Sequence, residues 1–196
     1  RQFSARGGKV EDQLRALVLE HLEWDGAGQA LDIGCGNGPL VIQLAQRYPA
    51  ARITGIDYWG RGWEYARSIC ERNAQAEGIA GRVTFQKASA SALPFPDGCF
   101  DAVVSNLVFH EVSDTPNKRA VVREALRVLK PGGSFAFQDL FLIKRAYGEP
   151  DDLLAAIQSW GVRRVALTRT CEASFIPAAL KLPFMVGTIA VISGRK

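Results

Sequence analysis

The sequence predicts a single α/β domain with a doubly wound, mostly parallel sheet. Three observations support this fold class: strand-like and helix-like segments alternate, the first strand runs straight into a glycine-rich turn, and the chain has 196 residues, a length typical of one domain. Parallel strands need a crossover connection, which is usually a helix. The alternation therefore indicates a sheet that is covered by helices on both faces.

The hydrophobic pattern places each element in order. Apolar residues at helical spacing predict a first helix over 10–23, which ends at Asp25-Gly26. Short apolar runs predict the strands Gln29–Ile33, Arg52–Ile56, Arg82–Gln86, Phe100–Ser105, Ser134–Gln138, Val162–Leu167 and Met185–Ile192. Further helices are predicted near 39–48, 61–77, 116–129 and 150–160. The last two strands lack a clear helix between them, so we expect an antiparallel pair at one edge.

Both ends of the helix near 116–129 have sequence signals. Thr115 is expected to cap its N-terminus, with Pro116 at the first helical position. The run Lys130-Pro131-Gly132-Gly133 is expected to end it, because proline and glycine cannot continue a stable helix.

Composition argues against several classes of function. The 24 basic and 20 acidic residues are spread along the chain, so a nucleic-acid partner is not expected. Four cysteines at irregular spacings and two histidines predict neither a zinc site nor a disulfide framework. No apolar run reaches the length of a spanning helix and no signal peptide is visible, so a cytoplasmic location is expected. An anchor upstream of Arg1 and the oligomeric state are left open.

The strongest functional signal is the run Ala30-Leu-Asp-Ile-Gly-Cys-Gly-Asn-Gly-Pro-Leu40. Its three glycines permit positive φ and a close approach of the backbone to a ligand. The helix that follows offers unpaired N–H groups beside that ligand. Open α/β sheets bind nucleotide-like ligands at such a turn. A tight strand-to-helix turn without a ligand is the alternative explanation.

An acidic residue at the end of the second strand strengthens the ligand-binding interpretation. Asp57 follows the glycine turn by about 20 residues, the spacing at which a carboxylate accepts hydrogen bonds from ribose hydroxyls. A helix cap or a surface acid is the alternative. Pro39 stands where a dinucleotide fingerprint has its third glycine, which disfavours a dinucleotide. Asp32 instead suits the cationic ammonium end of a sulfonium nucleoside.

Several motifs in order resemble class I S-adenosylmethionine-dependent methyltransferases. They are Asp-Ile-Gly-Cys-Gly-Asn-Gly (32–38), Ile-Asp-Tyr (56–58), Ala-Leu-Pro-Phe-Pro-Asp-Gly-Cys-Phe-Asp-Ala-Val (92–103), Ser-Asn-Leu-Val-Phe-His-Glu-Val (105–112) and Glu-Ala-Leu-Arg-Val-Leu-Lys-Pro-Gly-Gly (124–133). The similarity is greatest to the small-molecule branch that includes the ubiquinone and menaquinone biosynthesis methyltransferases. It implies a Rossmann-like α/β/α sandwich whose seven strands have the order 3-2-1-4-5-7-6, with strand 7 antiparallel.

The resemblance also implies that S-adenosylmethionine is the cofactor and S-adenosylhomocysteine the product. Relatives often carry an acid after the third strand that binds the adenine amino group, whereas this chain has Ala88-Ser89-Ala90, so Ser89 is the candidate acceptor. The other implied contacts are Gly34, Cys35, Gly36 and Gly38 on the methionine side, Asp57 on the ribose, Tyr58 against the adenine, and Asn106 and Leu107 near the sulfonium.

The implied organisation is a single methyltransferase domain over 1–196. Its parts are a flexible N-terminal segment (1–9), an N-terminal helix (10–27), a cofactor-binding core (28–140) and a C-terminal substrate-side part (141–196). The basic residues of 4–9 are candidates for covering the cofactor or for peripheral contact with an anionic membrane.

The predicted reaction is in-line transfer of a methyl group to a small, apolar acceptor. His110 is the candidate base, and Asp139 is an alternative at the same end of the sheet. A purely structural His110 is the competing interpretation. A non-catalytic S-adenosylmethionine-binding module and a nicotinamide-dependent oxidoreductase also stay open, as does the choice among carbon, oxygen and nitrogen methylation.

Overall fold

The computed structural model describes residues 10–59, 64–182 and 185–196. In this part of the chain, seven strands form one sheet with the order β3-β2-β1-β4-β5-β7-β6. Strands β1 to β5 are parallel, and β7 runs antiparallel to both β5 and β6. The strands are β1 (Gln29–Ile33), β2 (Arg52–Asp57), β3 (Val83–Lys87), β4 (Phe100–Asn106), β5 (Leu129–Asp139), β6 (Arg164–Arg169) and β7 (Ala190–Arg195). The strand order and the antiparallel β7 are therefore confirmed.

Helices cover both faces of this sheet. They are α1 (Val10–Glu20), α2 (Pro39–Arg47), α3 (Glu64–Ala76), α4 (Lys118–Arg127), α5 (Lys144–Tyr147) and α6 (Pro150–Ser159). Because successive strand residues point to opposite faces, Leu31 packs in a core with α4 and α6, whereas Ala30 packs in a second core with α2 and α3. The doubly wound α/β/α arrangement is confirmed.

A third apolar cluster lies apart from the two faces of the sheet. It joins α1 to the segment that precedes and begins β7, and its members are Val10, Leu14, Leu17, Ile176, Leu180, Val186, Ile189 and Val191. Leu107 and Leu140, which directly follow β4 and β5, pack against it. The cluster therefore lies beyond the carboxyl ends of these two strands.

The predicted signals at both ends of α4 were wrong. Asn117 caps the helix, since its Oδ1 accepts a hydrogen bond from the backbone N of Ala120 at 3.2 Å. Thr115 instead accepts a hydrogen bond from the backbone N of Asn117. Because the helix begins at Lys118, Pro116 lies before it. The helix ends at Arg127 because the carbonyls of Arg127 and Val128 accept hydrogen bonds from the backbone that leads into β4. The expected stop signal, 130–133, lies within β5.

The last strand begins later than predicted. Residues 185–188 form a turn, in which Met185 and Gly187 donate backbone hydrogen bonds to the carbonyl of Leu182. The strand β7 starts only at Ala190, opposite Asp139. The residues upstream of the strand are apolar for a different reason, since Val186 and Ile189 are buried in the third cluster. The short helix α5 was not predicted, and the predicted start of the helix over 61–77 falls partly outside the described residues.

Gly55 sets the distance between β2 and the elements that pack on it. A Cβ at this position would lie 2.9 Å from Val41 Cγ2 and 3.0 Å from Phe85 Cδ1. We expect Gly55→Ala to lower the free energy of unfolding by about 1–3 kcal/mol, as overpacking does. Gly81→Ala is the matched control, because a Cβ there meets no atom within 4 Å. Urea unfolding of both variants checks this, and equal midpoints would contradict it.

Candidate active site

A cavity of about 580 Å³ opens at the carboxyl ends of β1, β2 and β4. β1 pairs with β2 on one side and with β4 on the other, so the cavity lies where the strand order reverses, the usual binding position in open α/β sheets. The predicted site residues that line it are Gly34, Gly36, Asp57, Tyr58, Ser89, Ala90, Asn106 and Leu107. Asp32, Cys35, Gly38 and His110 are not among its lining residues.

The glycine turn is bonded to the end of β2. The backbone N–H groups of Gly34 and Cys35 both donate to the carbonyl of Ile56, at 2.8 and 2.9 Å. Asp57 continues this pairing: its Oδ2 accepts from the backbone N of Gly36 at 2.9 Å, and its Oδ1 accepts from the backbone N of Trp59 at 3.1 Å. Asp57 thus holds the turn and the start of the next loop in one geometry.

Each glycine of the turn has a left-handed backbone, with φ of 74° at Gly34, 55° at Gly36 and 86° at Gly38. A Cβ on Gly34 would overlap the side chain of Val108, so the turn can approach the loop after β4 only with glycine here. A Cβ on Gly36 would meet no atom within 4 Å, because this residue faces open space. Gly38 is the N-cap residue of α2.

Asp32 lies beneath the turn and is 1% exposed. Its Oδ2 is buried and has no hydrogen-bond partner. Burial, and then the neighbouring charge of Asp57, raise the pKa of Asp32 to about 8. Burying a carboxylate oxygen without a hydrogen-bond partner costs desolvation free energy. A cationic donor at this position would recover part of that free energy.

Two cysteines are buried below the turn. Cys70 Sγ donates to the carbonyl of Gly36 at 3.2 Å, and Cys35 lies beside Cys70 and under Gly55. The Cys70 hydrogen bond and burial raise the pKa of the Cys35 thiol. A protonated buried thiol fills space, so the side chain of Cys35 supports the turn from below.

Trp59 is a buried wall of the cavity. Its side chain is 2% exposed, and its Nε1 donates to the carbonyl of Gly36 at 3.1 Å. Its backbone has φ of 34°, uncommon for a residue with a side chain. Tyr58, the predicted partner of the adenine, lines the cavity but is 66% exposed.

A carboxylate from a distant segment lies beside Ser89. The hydroxyls of Ser89 and Ser91 both donate to Asp114 Oδ2 at 2.6 Å, and Asp114 also lines the cavity. These two hydroxyl donors lower the pKa of Asp114 below its usual value. Nothing in the sequence pattern places Asp114 next to Ser89, since the contact depends on how the loop after β4 folds back toward β3.

The predicted base His110 lies in a short 3₁₀ turn after β4 and is bonded to the end of β5. Its Nδ1 donates to Asp139 Oδ1 at 2.8 Å, and its Nε2 is 3.8 Å from Glu111 Oε1. Burial tends to lower the pKa of His110, but the hydrogen bond and charge of Asp139 outweigh it, so the pKa is raised above its ordinary value. The base role of His110 stays a prediction.

Asp139 is fully buried and accepts hydrogen bonds from several segments. Besides the His110 ring, its donors are the backbone N–H groups of Val108, Phe109 and Leu140 and the hydroxyl of Tyr147. Burial, followed by the Asp139 charge, raises the pKa of Tyr147, which therefore keeps its proton. Asp139 thus positions the residues around it, as a buried carboxylate with this many donors can.

The described residues bear on metal binding and on membrane insertion. Within 10–59, 64–182 and 185–196, no three His, Cys, Asp or Glu side chains are grouped so as to hold a metal ion. No helix in the same ranges is long and apolar enough to cross a membrane. The basic segment 4–9, the predicted membrane contact, lies outside these ranges.

The sheet order, the antiparallel β7 and the glycine turn at the switch point are those of the class I S-adenosylmethionine-dependent methyltransferases. The chain belongs to the family described as "Methyltransferase domain", which matches residues 31–137, more than half of its length.

Relatives in this family act on different small molecules. The chain is 37% identical over 118 residues to 27-O-demethylrifamycin SV methyltransferase of Amycolatopsis mediterranei, a match that covers 60% of this chain and 40% of that protein. It is 40% identical over 103 residues to demethylmenaquinone methyltransferase of Thermus thermophilus, covering 53% of this chain and 43% of that one. The matched part therefore spans less than half of either relative.

Solved structures share the fold at low identity. Geranyl diphosphate C-methyltransferase from Streptomyces coelicolor, crystallised with geranyl diphosphate and S-adenosyl-L-homocysteine, has a TM-score of 0.68 at 16% identity, covering 95% of this chain and 81% of that one. The cyclase SpnF has a TM-score of 0.69 at 24% identity, covering 98% of this chain and 84% of that one. These likenesses establish the fold alone.

The raised pKa of His110 gives a signed prediction for stability. A group whose folded pKa is raised contributes stability that is fully present below its unfolded pKa, about 6.5, and is lost as pH rises through the folded value. We expect His110→Gln to lower the unfolding temperature most at about pH 5.5 and progressively less toward about pH 9. Thermal melts of both proteins across this range check the trend, and a pH-independent difference would contradict it.

Proposed function

We propose that this chain binds S-adenosylmethionine in the cavity at β1, β2 and β4 and transfers its methyl group to a small-molecule acceptor. The observation that carries the proposal is the glycine turn bonded to Asp57 at the switch point of the sheet. The family match and relatives named for small-molecule methylation support it.

The residues around the turn fit this cofactor. Asp32 has a buried carboxylate oxygen without a partner, and the cofactor's ammonium is a cationic donor of the kind that such an oxygen lacks. Gly36 faces open space, so its backbone leaves room for the methionine part. Gly34, Cys35 and Gly38 shape this turn from its ends and from below, and none of them needs a side-chain contact to the ligand.

Asp57 can serve the ribose while it holds the turn. Each of its oxygens accepts one backbone N–H, from Gly36 and from Trp59. An ionised carboxylate has about four acceptor sites, so two of them stay available for the two ribose hydroxyls. The protein bonds also fix the direction of the carboxylate before the ligand arrives, which reduces the entropy lost on binding.

The adenine end is assigned to Asp114 together with Ser89 and Ala90. The hydroxyl proton of Ser89 is already donated to Asp114, and Asp114 has a lowered pKa and lines the same cavity. An ionised acceptor binds an amino group more strongly than a hydroxyl does. Asp114 thus supplies the charge that the residues after β3 lack, and Tyr58 and Trp59 form the adjacent aromatic wall.

When bound, S-adenosylmethionine supplies an electrophilic methyl group on a sulfonium sulfur, which takes back the bonding electron pair as a neutral thioether. The protein's task is to align the acceptor and exclude water. Asn106 and Leu107 are assigned to the sulfonium end, because they line the cavity at the end of β4, the strand that pairs with β1. The acceptor atom contributes the electron pair of the new bond, and it must lose any proton that it carries.

His110 lines neither cavity, so it is proposed only as the group to which such a proton is relayed from the acceptor. Its Nδ1 donates to Asp139, so Nε2 is the nitrogen left to accept a proton. Asp139 is a positioning residue in this scheme, since it acts through the imidazole ring and through the backbone of Val108 and Phe109.

Asp57→Asn tests the cofactor site. An amide can no longer accept at both ends, so we expect S-adenosylhomocysteine and S-adenosylmethionine to bind at least about tenfold more weakly, as when a charge-assisted acceptor is lost. Isothermal titration measures both ligands, with NADH as the comparison ligand. Asp152→Asn, an exposed acid in α6, is the matched control and is expected to bind like wild type. Binding of NADH alone by the wild type would favour the oxidoreductase, and binding without turnover on any acceptor would favour the non-catalytic module.

Asp114→Asn tests the adenine assignment separately. Wild type is expected to prefer S-adenosylhomocysteine to S-inosylhomocysteine, whose ring has an oxygen in place of the amino group. The substitution removes the charged acceptor, so the preference is expected to fall by about tenfold. Competition titrations of the two nucleosides measure it, with Asp152→Asn again as the control. An unchanged preference would show that Asp114 does not contact the amino group.

A further inference from the structure

A second cavity, of about 360 Å³, adjoins the first one at the end of β4. Asn106 and Leu107 line both cavities, so these two residues form a shared wall. The remaining walls come from α1 and from the segment before β7, through Glu11, Leu14, Arg15, Met185, Val186 and Ile189.

Most of this wall is aliphatic. Leu14, Val186 and Ile189 are buried members of the third apolar cluster, and Leu107 and Met185 pack against them. A cavity of this volume with an apolar wall suits the ring system or chain of a small organic molecule.

Two buried polar atoms at this cavity have no hydrogen-bond partner. One is Arg15 Nε; the other nitrogens of that guanidinium face Asp12 and Glu11, which lie one turn back on α1. The other is Asn106 Oδ1 on the shared wall. A hydroxyl can satisfy a group of either kind, because its oxygen accepts from an N–H and its proton can be donated to a carbonyl oxygen.

The shared wall also has an unusual backbone. Leu107 has φ of 58°, although it carries a side chain, and its backbone N donates to the carbonyl of Gln138 at 2.7 Å. A left-handed residue that is not glycine persists only where its surroundings hold it, and such residues concentrate at ligand sites. This conformation places Leu107 between the two cavities.

We propose that the second cavity is the acceptor subsite, and that it takes an apolar, ring-sized molecule whose single oxygen substituent faces Arg15. The assignment rests on the proposed methyl transfer, because the shared wall at Asn106 and Leu107 brings an occupant of this cavity next to the sulfonium end of the first one. Glu11 also lines this cavity, and its negative charge disfavours an acceptor that carries a negatively charged group in addition to the oxygen substituent.

The probes are 2-naphthol and naphthalene, which differ by one hydroxyl. Their binding is measured by fluorescence titration in the presence of S-adenosylhomocysteine, whose own affinity is measured on each variant by calorimetry. Arg15→Met removes the donor and keeps a long side chain, whereas Leu14→Trp fills the cavity. Arg163→Met, at an exposed arginine before β6, is the matched control for the lost charge.

We expect Arg15→Met to weaken 2-naphthol binding by about tenfold and naphthalene binding by less than about twofold. Leu14→Trp weakens both probes, and Arg163→Met weakens neither. S-adenosylhomocysteine binds Arg15→Met as it binds wild type, which shows that this variant is folded.

Four results would count against one proposal or the other. If wild type binds S-adenosylhomocysteine but neither probe, or if Arg15→Met weakens both probes equally, the acceptor subsite is overturned. An unchanged affinity of both probes for folded Leu14→Trp would overturn it as well. If 2-naphthol binding depends on Arg15 but S-adenosylhomocysteine never binds, the cofactor proposal fails while the second cavity remains a ligand site.

Discussion

The carboxylate of Asp57 is the interaction on which the site depends. It accepts one hydrogen bond from Gly36 in the turn after β1 and another from Trp59 in the loop after β2. Trp59 in turn donates its ring N–H to the carbonyl of Gly36, so the three residues are mutually hydrogen-bonded. Two loops from adjacent strands are therefore tied together before any ligand binds, and the cavity is largely preformed.

The fold could be predicted because its signals are local and periodic. The alternation of strands with helices and the order of the motifs lead to the observed sheet, and each predicted strand overlaps its observed range. The errors lie where tertiary contacts decide a boundary. Asn117 rather than Thr115 caps α4, and β7 begins at Ala190 because the preceding apolar residues pack under α1. A sequence pattern records that such residues are apolar, not which surface they cover.

The site was predicted in part for the same reason. Residues on the glycine turn and at the ends of β2 and β4 were found, since strand ends meet at one edge of a parallel sheet. Asp114 and Arg15 were missed, because each reaches its cavity from a loop or helix far away in sequence. The hydrogen bond between His110 and Asp139 could not be predicted without knowing that β4 pairs with β5. That pairing brings the ends of the two strands together.

The cluster of donors around Asp139 has a consequence for how ligands enter. This carboxylate binds the backbone of residues 108 and 109, the His110 ring and the Tyr147 hydroxyl, all within buried surroundings. Opening that region would leave the buried carboxylate of Asp139 without its hydrogen-bond donors. The loop after β4 is therefore expected to be rigid. One side of the second cavity is formed by α1 and by Met185, Val186 and Ile189, which are held mainly by non-directional apolar contacts. Apolar contacts have no preferred direction, so this side of the second cavity can shift at a lower free-energy cost than the loop after β4.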